Sequence, residues 1–103
     1  MFEIQILLPL RDNAGVTFTP AEHQAFLGYL AEKFGGATLM PGTATGVWTE
    51  NGVTYTDETL VAVVAVDGFL KQAAAIAEAA EEAKRRYRQL AVYVRYLGLS
   101  EVV

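Results

Sequence analysis

The sequence predicts an α+β domain whose elements run β-α-β-β-α-β. Three observations predict it. Apolar and polar residues alternate near both ends of the chain, as in half-buried strands. Two inner segments space their apolar residues at three and four, as amphipathic helices do. Asn51-Gly52, a strong two-residue hairpin signal, separates two strand-like stretches. At 103 residues the chain makes a single domain, 1–103, and a hydrophobic content of 52% gives that domain a core to bury.

The first strand covers 2–8, with Phe2, Ile4, Ile6 and Leu8 on one face and Glu3 and Gln5 on the other. Pro9 ends it, and Arg11-Asp12-Asn13-Ala14-Gly15 is a loop. Thr19 is an N-cap, Pro20 suits the first helical position, and Glu22 completes a capping box. Phe18 and His23 then occupy the staple positions that fix the chain's entry into the helix. His23, Phe26, Leu27, Leu30 and Phe34 form the buried stripe, and Gly35-Gly36 stops the helix.

Residues 37–50 read as a second strand broken by Pro41-Gly42 and Gly46, a composition that fits a sheet edge. The third strand, 53–66, ends in Leu60-Val61-Ala62-Val63-Val64-Ala65-Val66. That run is apolar on both faces, so the strand is central and covered on both sides. Asp67 is the expected N-cap of a second helix over 68–88, with Phe69, Ala73, Ile76, Ala80, Ala83 and Tyr87 as its stripe. Glu81–Arg85 and Glu82–Arg86 are expected ion pairs along it. The last strand covers 89–97, with Leu90, Val92, Val94 and Tyr96 facing the helices and Tyr93 and Arg95 facing away.

This order resembles the ferredoxin-like βαββαβ fold over essentially the whole chain. The resemblance implies a four-stranded antiparallel sheet of order 4-1-3-2 with two helices on one face. Its central position for strand three and edge position for strand two agree with the apolar run and the Pro/Gly interruptions. Within that fold the chain also resembles the dimeric α/β-barrel proteins, which include small cofactor-independent monooxygenases and isomerases. The segment from Gly35-Gly36-Ala37-Thr38 to Gly46-Val47-Trp48 and Gly52 looks like a signature of small bacterial domains of unassigned function. Acylphosphatases share the topology, but their Gly-rich loop motif and third-strand Asn are absent here. The PII signalling proteins share it too; their long nucleotide-binding loop is replaced here by a tight turn.

Helices on one face leave the other face of the sheet open, and strand three makes that face apolar in either phase. An apolar patch of this kind marks an interface, so the expected partner is a second copy, most simply a two-fold dimer through the sheet face. The alternative cover is the C-terminal tail, Gly98 to Val103. Glu3, Gln5, Tyr93 and Arg95 should cluster on the open face beside this apolar floor. They are candidate ligand-binding residues, or an Arg–Glu pair that sets the register of the dimer.

Composition narrows the chemistry. Without cysteine there is no disulfide, thiolate metal site or Cys nucleophile, and a single histidine rules out a His-rich metal site. Eight Lys and Arg against twelve Asp and Glu give a net charge of −4, which argues against nucleic acid as a partner. The longest apolar run has seven residues, against the ~20 of a membrane span, and no basic region precedes the first strand. A cytoplasmic protein without metal or cofactor is expected.

Two functional readings remain. One is a binding or assembly module. The other is an enzyme acting on a small organic substrate, with His23 as acid/base and Trp48 and Tyr93 shaping the pocket. The residue-level alternatives are a buried His23 packed on Phe18, and a Trp48–Tyr55 cross-strand pair on the hairpin. Glu50, Asp57 and Glu58 near that hairpin are a further, weaker candidate for a divalent cation.

Overall fold

The computed structural model describes residues 1–99. The elements are β1 (Phe2–Pro9), α1 (Pro20–Phe34), β2 (Thr38–Leu39), β3 (Ala44–Glu50), β4 (Val53–Val66), α2 (Ala73–Tyr87) and β5 (Tyr93–Leu99). β4 and β5 flank β1, both antiparallel to it, and β2 and β3 follow one another along the outer edge of β4. The expected four strands are therefore five. Pro41 and Gly42, at φ +77°, interrupt pairing between Leu39 and Ala44 and split the expected second strand in two. With β2 and β3 counted as one, the order is the expected 4-1-3-2 with both helices on one face, the ferredoxin-like arrangement.

Core packing follows from strand parity. Ile4, Ile6 and Leu8 of β1 and Ala62, Val64 and Val66 of β4 are buried under Phe26 and Leu30 of α1 and Ile76, Ala79 and Ala83 of α2. Each large side chain in this set contributes about 1.5–3 kcal/mol by leaving water. Ala79 takes the place expected of Ala80 on the buried stripe of α2, beside Ala83, and the expected Ala73 is exposed at the helix start. The start of α1 has the anticipated capping box. The Thr19 hydroxyl accepts from the Glu22 amide at 3.2 Å, and the Glu22 carboxylate accepts from the Thr19 amide at 2.9 Å. Gly35, at φ +87°, closes the helix with an amide bond to the Ala31 carbonyl at 2.8 Å.

Three expectations fail locally. α2 begins at Ala73 rather than 68, and Asp67 does not cap it; the Gln72 side chain instead accepts from the Asp67 amide, so 68–72 form a turn. On α2 the Glu81–Arg85 pair is replaced by Lys84–Glu81, and Glu82 takes both Arg85 and Arg86. β5 begins at Tyr93, not 89, and Leu90 is 99% exposed in the preceding loop instead of facing the helices. The tail expected to compete for the open face lies largely beyond the described residues.

β1 ends opposite Thr59, but β3 and β4 continue pairing to the Asn51-Gly52 turn, where φ is +51° and +77°. This makes a two-stranded arm projecting from the sheet and leaves 45–58 exposed. The molecule's longest dimension is 43 Å.

Candidate functional site

The phase of β4 decides what the open face presents. Val61, Val63 and Ala65 lie opposite in parity to the buried Ala62, Val64 and Val66, so they share the uncovered face. On β1 the same face carries Glu3, Gln5 and Leu7. Strand register sets Tyr93 opposite Leu7 and Arg95 opposite Gln5. Glu3 is one side-chain step along β1 from Gln5, with Ala65 opposite it. The polar candidates Glu3, Gln5, Tyr93 and Arg95 thus stand on one face beside a floor of three half-buried aliphatic residues. Tyr93 is 63% exposed.

Continuing the parity of β4 outward places Tyr55 and Asp57 on the same side as Val61 and Val63. There Trp48 stacks on Tyr55 at a ring separation of 4.3 Å, and its indole N–H donates to Asp57 at 2.8 Å. Trp48 remains 45% exposed. Tyr55 is six residues from Val61, about 20 Å along a strand, so within one chain Trp48 does not close a pocket with Tyr93.

A concavity of about 460 Å³ lies at the other end of the open face. Its walls are Glu3, Val63 and Ala65 from the sheet and Phe34 to Thr38 from the end of α1 and the start of β2. This concavity was not legible in the sequence, because it depends on how Gly35–Thr38 crosses onto the sheet edge.

His23 is in the core, 6% exposed, and lines neither this concavity nor the shallow one beside Tyr29 and Arg85. Its Nδ1 is 2.8 Å from the Tyr87 hydroxyl, and its Nε2 is buried with no partner. The expected packing against Phe18 is present at a ring separation of 6.3 Å. Burial holds its pKa below the usual histidine value, and burial pushes the Tyr87 phenol up to about 12. Neutral imidazole is therefore the stable form.

The charged residues of the first loop and of the base of the arm are engaged locally. Asp12 accepts from the Val16 and Ala14 amides, which, with Arg88, holds its carboxyl below the ordinary value. Arg11 pairs with Glu58 across the base of the arm. Glu58 alternates to the opposite side of the arm from Asp57, and no metal-binding group of three acidic or His residues exists among the described residues. No helix among them is long and apolar enough to cross a membrane.

No protein-family model matches the sequence, and no curated protein matches it. Solved structures do match the fold. The chain is similar to the divalent cation tolerance protein Cut A1 from Thermus thermophilus, with a TM-score of 0.65 at 15% identity, covering 99% of this chain and 86% of that one. It is similar to the periplasmic divalent cation tolerance protein CutA from Archaeoglobus fulgidus, with a TM-score of 0.65 at 12% identity over the same shares. It is also similar to a phage SAM lyase in complex with S-methyl-5'-thioadenosine, with a TM-score of 0.66 at 17% identity, covering 90% and 77%. At these identities the likeness establishes a shared ferredoxin-like fold.

Proposed function

We propose that this chain is a self-assembling binding module whose working surface is the open sheet face. The observation that carries the reading is β4, whose final stretch is apolar on both sides although the helices cover only one. Val61, Val63, Ala65 and Leu7 form a continuous aliphatic surface with charged and aromatic residues at its margins, the anatomy of an interface core and rim. The simplest closed assembly is a two-fold dimer, face to face, in which Glu3 and Arg95 set the register.

Light scattering on three proteins tests it. Wild type is expected as a dimer or larger, Val63→Glu as a folded monomer, and Val64→Glu as an unfolded chain, because only Val64 points into the core. A wild-type monomer at ~50 μM, in the micromolar range where stable interfaces form, defeats the reading.

One observation favours a second reading. A phage SAM lyase of this fold holds S-methyl-5'-thioadenosine, and this chain has a concavity of about 460 Å³ on its open face. In this reading the module turns over a small organic substrate beside Glu3, Gln5, Tyr93 and Arg95, with Trp48 supplied by a neighbouring copy. Its test is release of S-methyl-5'-thioadenosine from S-adenosylmethionine, followed by chromatography. No release above a protein-free control removes this reading and leaves the assembly reading intact.

A further inference from the structure

We infer that the concavity between the end of α1 and the open face binds a small organic monocation, an ammonium or sulfonium on an apolar stem, with Glu3 as its counter-charge. The inference goes beyond the assembly reading; Glu3, Val63 and Ala65 belong to both surfaces, so the cation and a face-to-face partner compete for them. The concavity has a volume of about 460 Å³ and stays open to solvent, so it suits a small ligand held by one side.

The sign of the ligand's charge follows from the walls. Glu3 is the acidic side chain in the lining, and no cation lies in ion-pair reach of it among the described residues. Met1 lies on the same rim, and its α-ammonium makes no ion pair with Glu3 either. α1 ends in the wall at Phe34. Its Glu32, Lys33 and Phe34 carbonyls accept no backbone bond from beyond the helix among the described residues. Such a terminus carries about half a negative charge. Lys33, the cation of that last turn, is committed elsewhere, with its ammonium 2.5 Å from Glu78 on α2. Carboxylate and helix end therefore add, and together they outweigh the one α-ammonium of Met1 on the rim.

The apolar part follows from the rest of the lining. Phe34, Val63 and Ala65 offer no donors or acceptors from their side chains, so a fully hydrated ion would lose water there without replacement. One carboxylate is too few for a divalent metal, which takes six or more oxygen ligands. An ammonium or sulfonium on a short hydrocarbon stem satisfies both halves: charge at Glu3, stem on Val63 and Ala65.

The test is an NMR titration of the full-length protein with n-butylammonium, 1-butanol and butyrate, which share a stem and differ in charge. Butylammonium is expected to shift the amides of Gly35, Gly36 and Thr38 saturably, and the other two are not. Glu3→Gln is expected to weaken binding about tenfold, the size of one charge-assisted contact. Gly36→Leu is expected to block binding without disturbing the fold, since a Cβ at Gly36 meets nothing within 4 Å. Equal shifts from butyrate or butanol, unchanged affinity in Glu3→Gln, or the same shifts from magnesium chloride each overturn the site. Light scattering on the same samples, diluted until the chain is monomeric, separates the two readings: a monomer with no saturable butylammonium shift overturns the site, and a chain that is monomeric at ~50 μM yet binds it defeats the assembly reading alone.

Discussion

At the scale of single residues, the most consequential pair is His23 and Tyr87. The tautomer that leaves the fewest bonds unmade has the phenol donating to Nδ1 and the proton on Nε2, which then lies buried and unpaired. Protonation would place a charge among Phe18, Phe26 and Tyr87. The folded pKa is therefore below the unfolded one, and below about pH 6.5 the unfolded chain binds a proton that the folded chain refuses. Stability is fully present above that pH and falls as pH drops through it toward the folded pKa. Urea melts between pH 7.5 and 5 should show this loss, and His23→Phe should abolish that limb; a flat profile in wild type contradicts the neutral buried imidazole. At pH 7.5, His23→Phe should itself cost about 1–2 kcal/mol, because it strands the Tyr87 hydroxyl. The double variant with Tyr87→Phe should recover most of that. Loss without recovery would mean that packing, not the hydrogen bond, holds the pair.

At the scale of elements, helix ends are where local chemistry is most easily tested. Gly35 sits at φ +87° and Gly36 does not have a positive φ, yet a Cβ at either meets nothing within 4 Å. Gly35→Ala should therefore destabilise by about 1 kcal/mol from backbone strain alone, and Gly36→Ala by a few tenths at most. Equal thermal shifts for the two would deny that the left-handed cap is what ends α1. The same locality explains which elements were legible in the sequence. The bounds of α1 and β4 could be read because Thr19, Glu22, Gly35 and Asn51-Gly52 carry their instructions within a few residues. The start of α2 could not, since an Asp before an apolar residue reads as a cap, while the competing bond from the Asp67 amide to the Gln72 side-chain oxygen depends on the folded turn. Leu90 misled for a related reason: an apolar residue in register with a strand carries no mark that pairing begins three residues later. The face shared by Glu3, Gln5, Tyr93 and Arg95 followed from alternation and neighbouring strands. The concavity beside Glu3 did not, because no periodicity encodes where a connection crosses an edge.

At the scale of the whole molecule, the arm and the open face form one surface. The odd-numbered residues of β4 run without a register shift from Ala65 in the sheet to Val53 at the tip, so the aliphatic floor passes into the Trp48–Tyr55 stack. A single chain holding this strip exposed would also expose the outer edge of β3 along the arm, an arrangement that invites pairing with other chains. Glu50 and Asp57 put negative charge on the side of the arm that continues the open face, while Glu58 on the other side is paired with Arg11; this suits a docking partner carrying Arg95 and disfavours arms stacking on one another. The expected arrangement therefore has each arm reaching across its neighbour's open face. Trp48, the chain's single tryptophan, reports on this directly. On dilution below the dissociation constant its emission should move to longer wavelength in wild type, while in Val63→Glu it should already be there at all concentrations. Removing both rings with Trp48→Ser and Tyr55→Ser should weaken assembly about thirtyfold or more, the scale set by ~2 kcal/mol for aromatic hot spots. If the dissociation constant is unchanged and the emission ignores dilution while mass falls, the assembly rests on the body of the sheet alone and the arm stands free in solution.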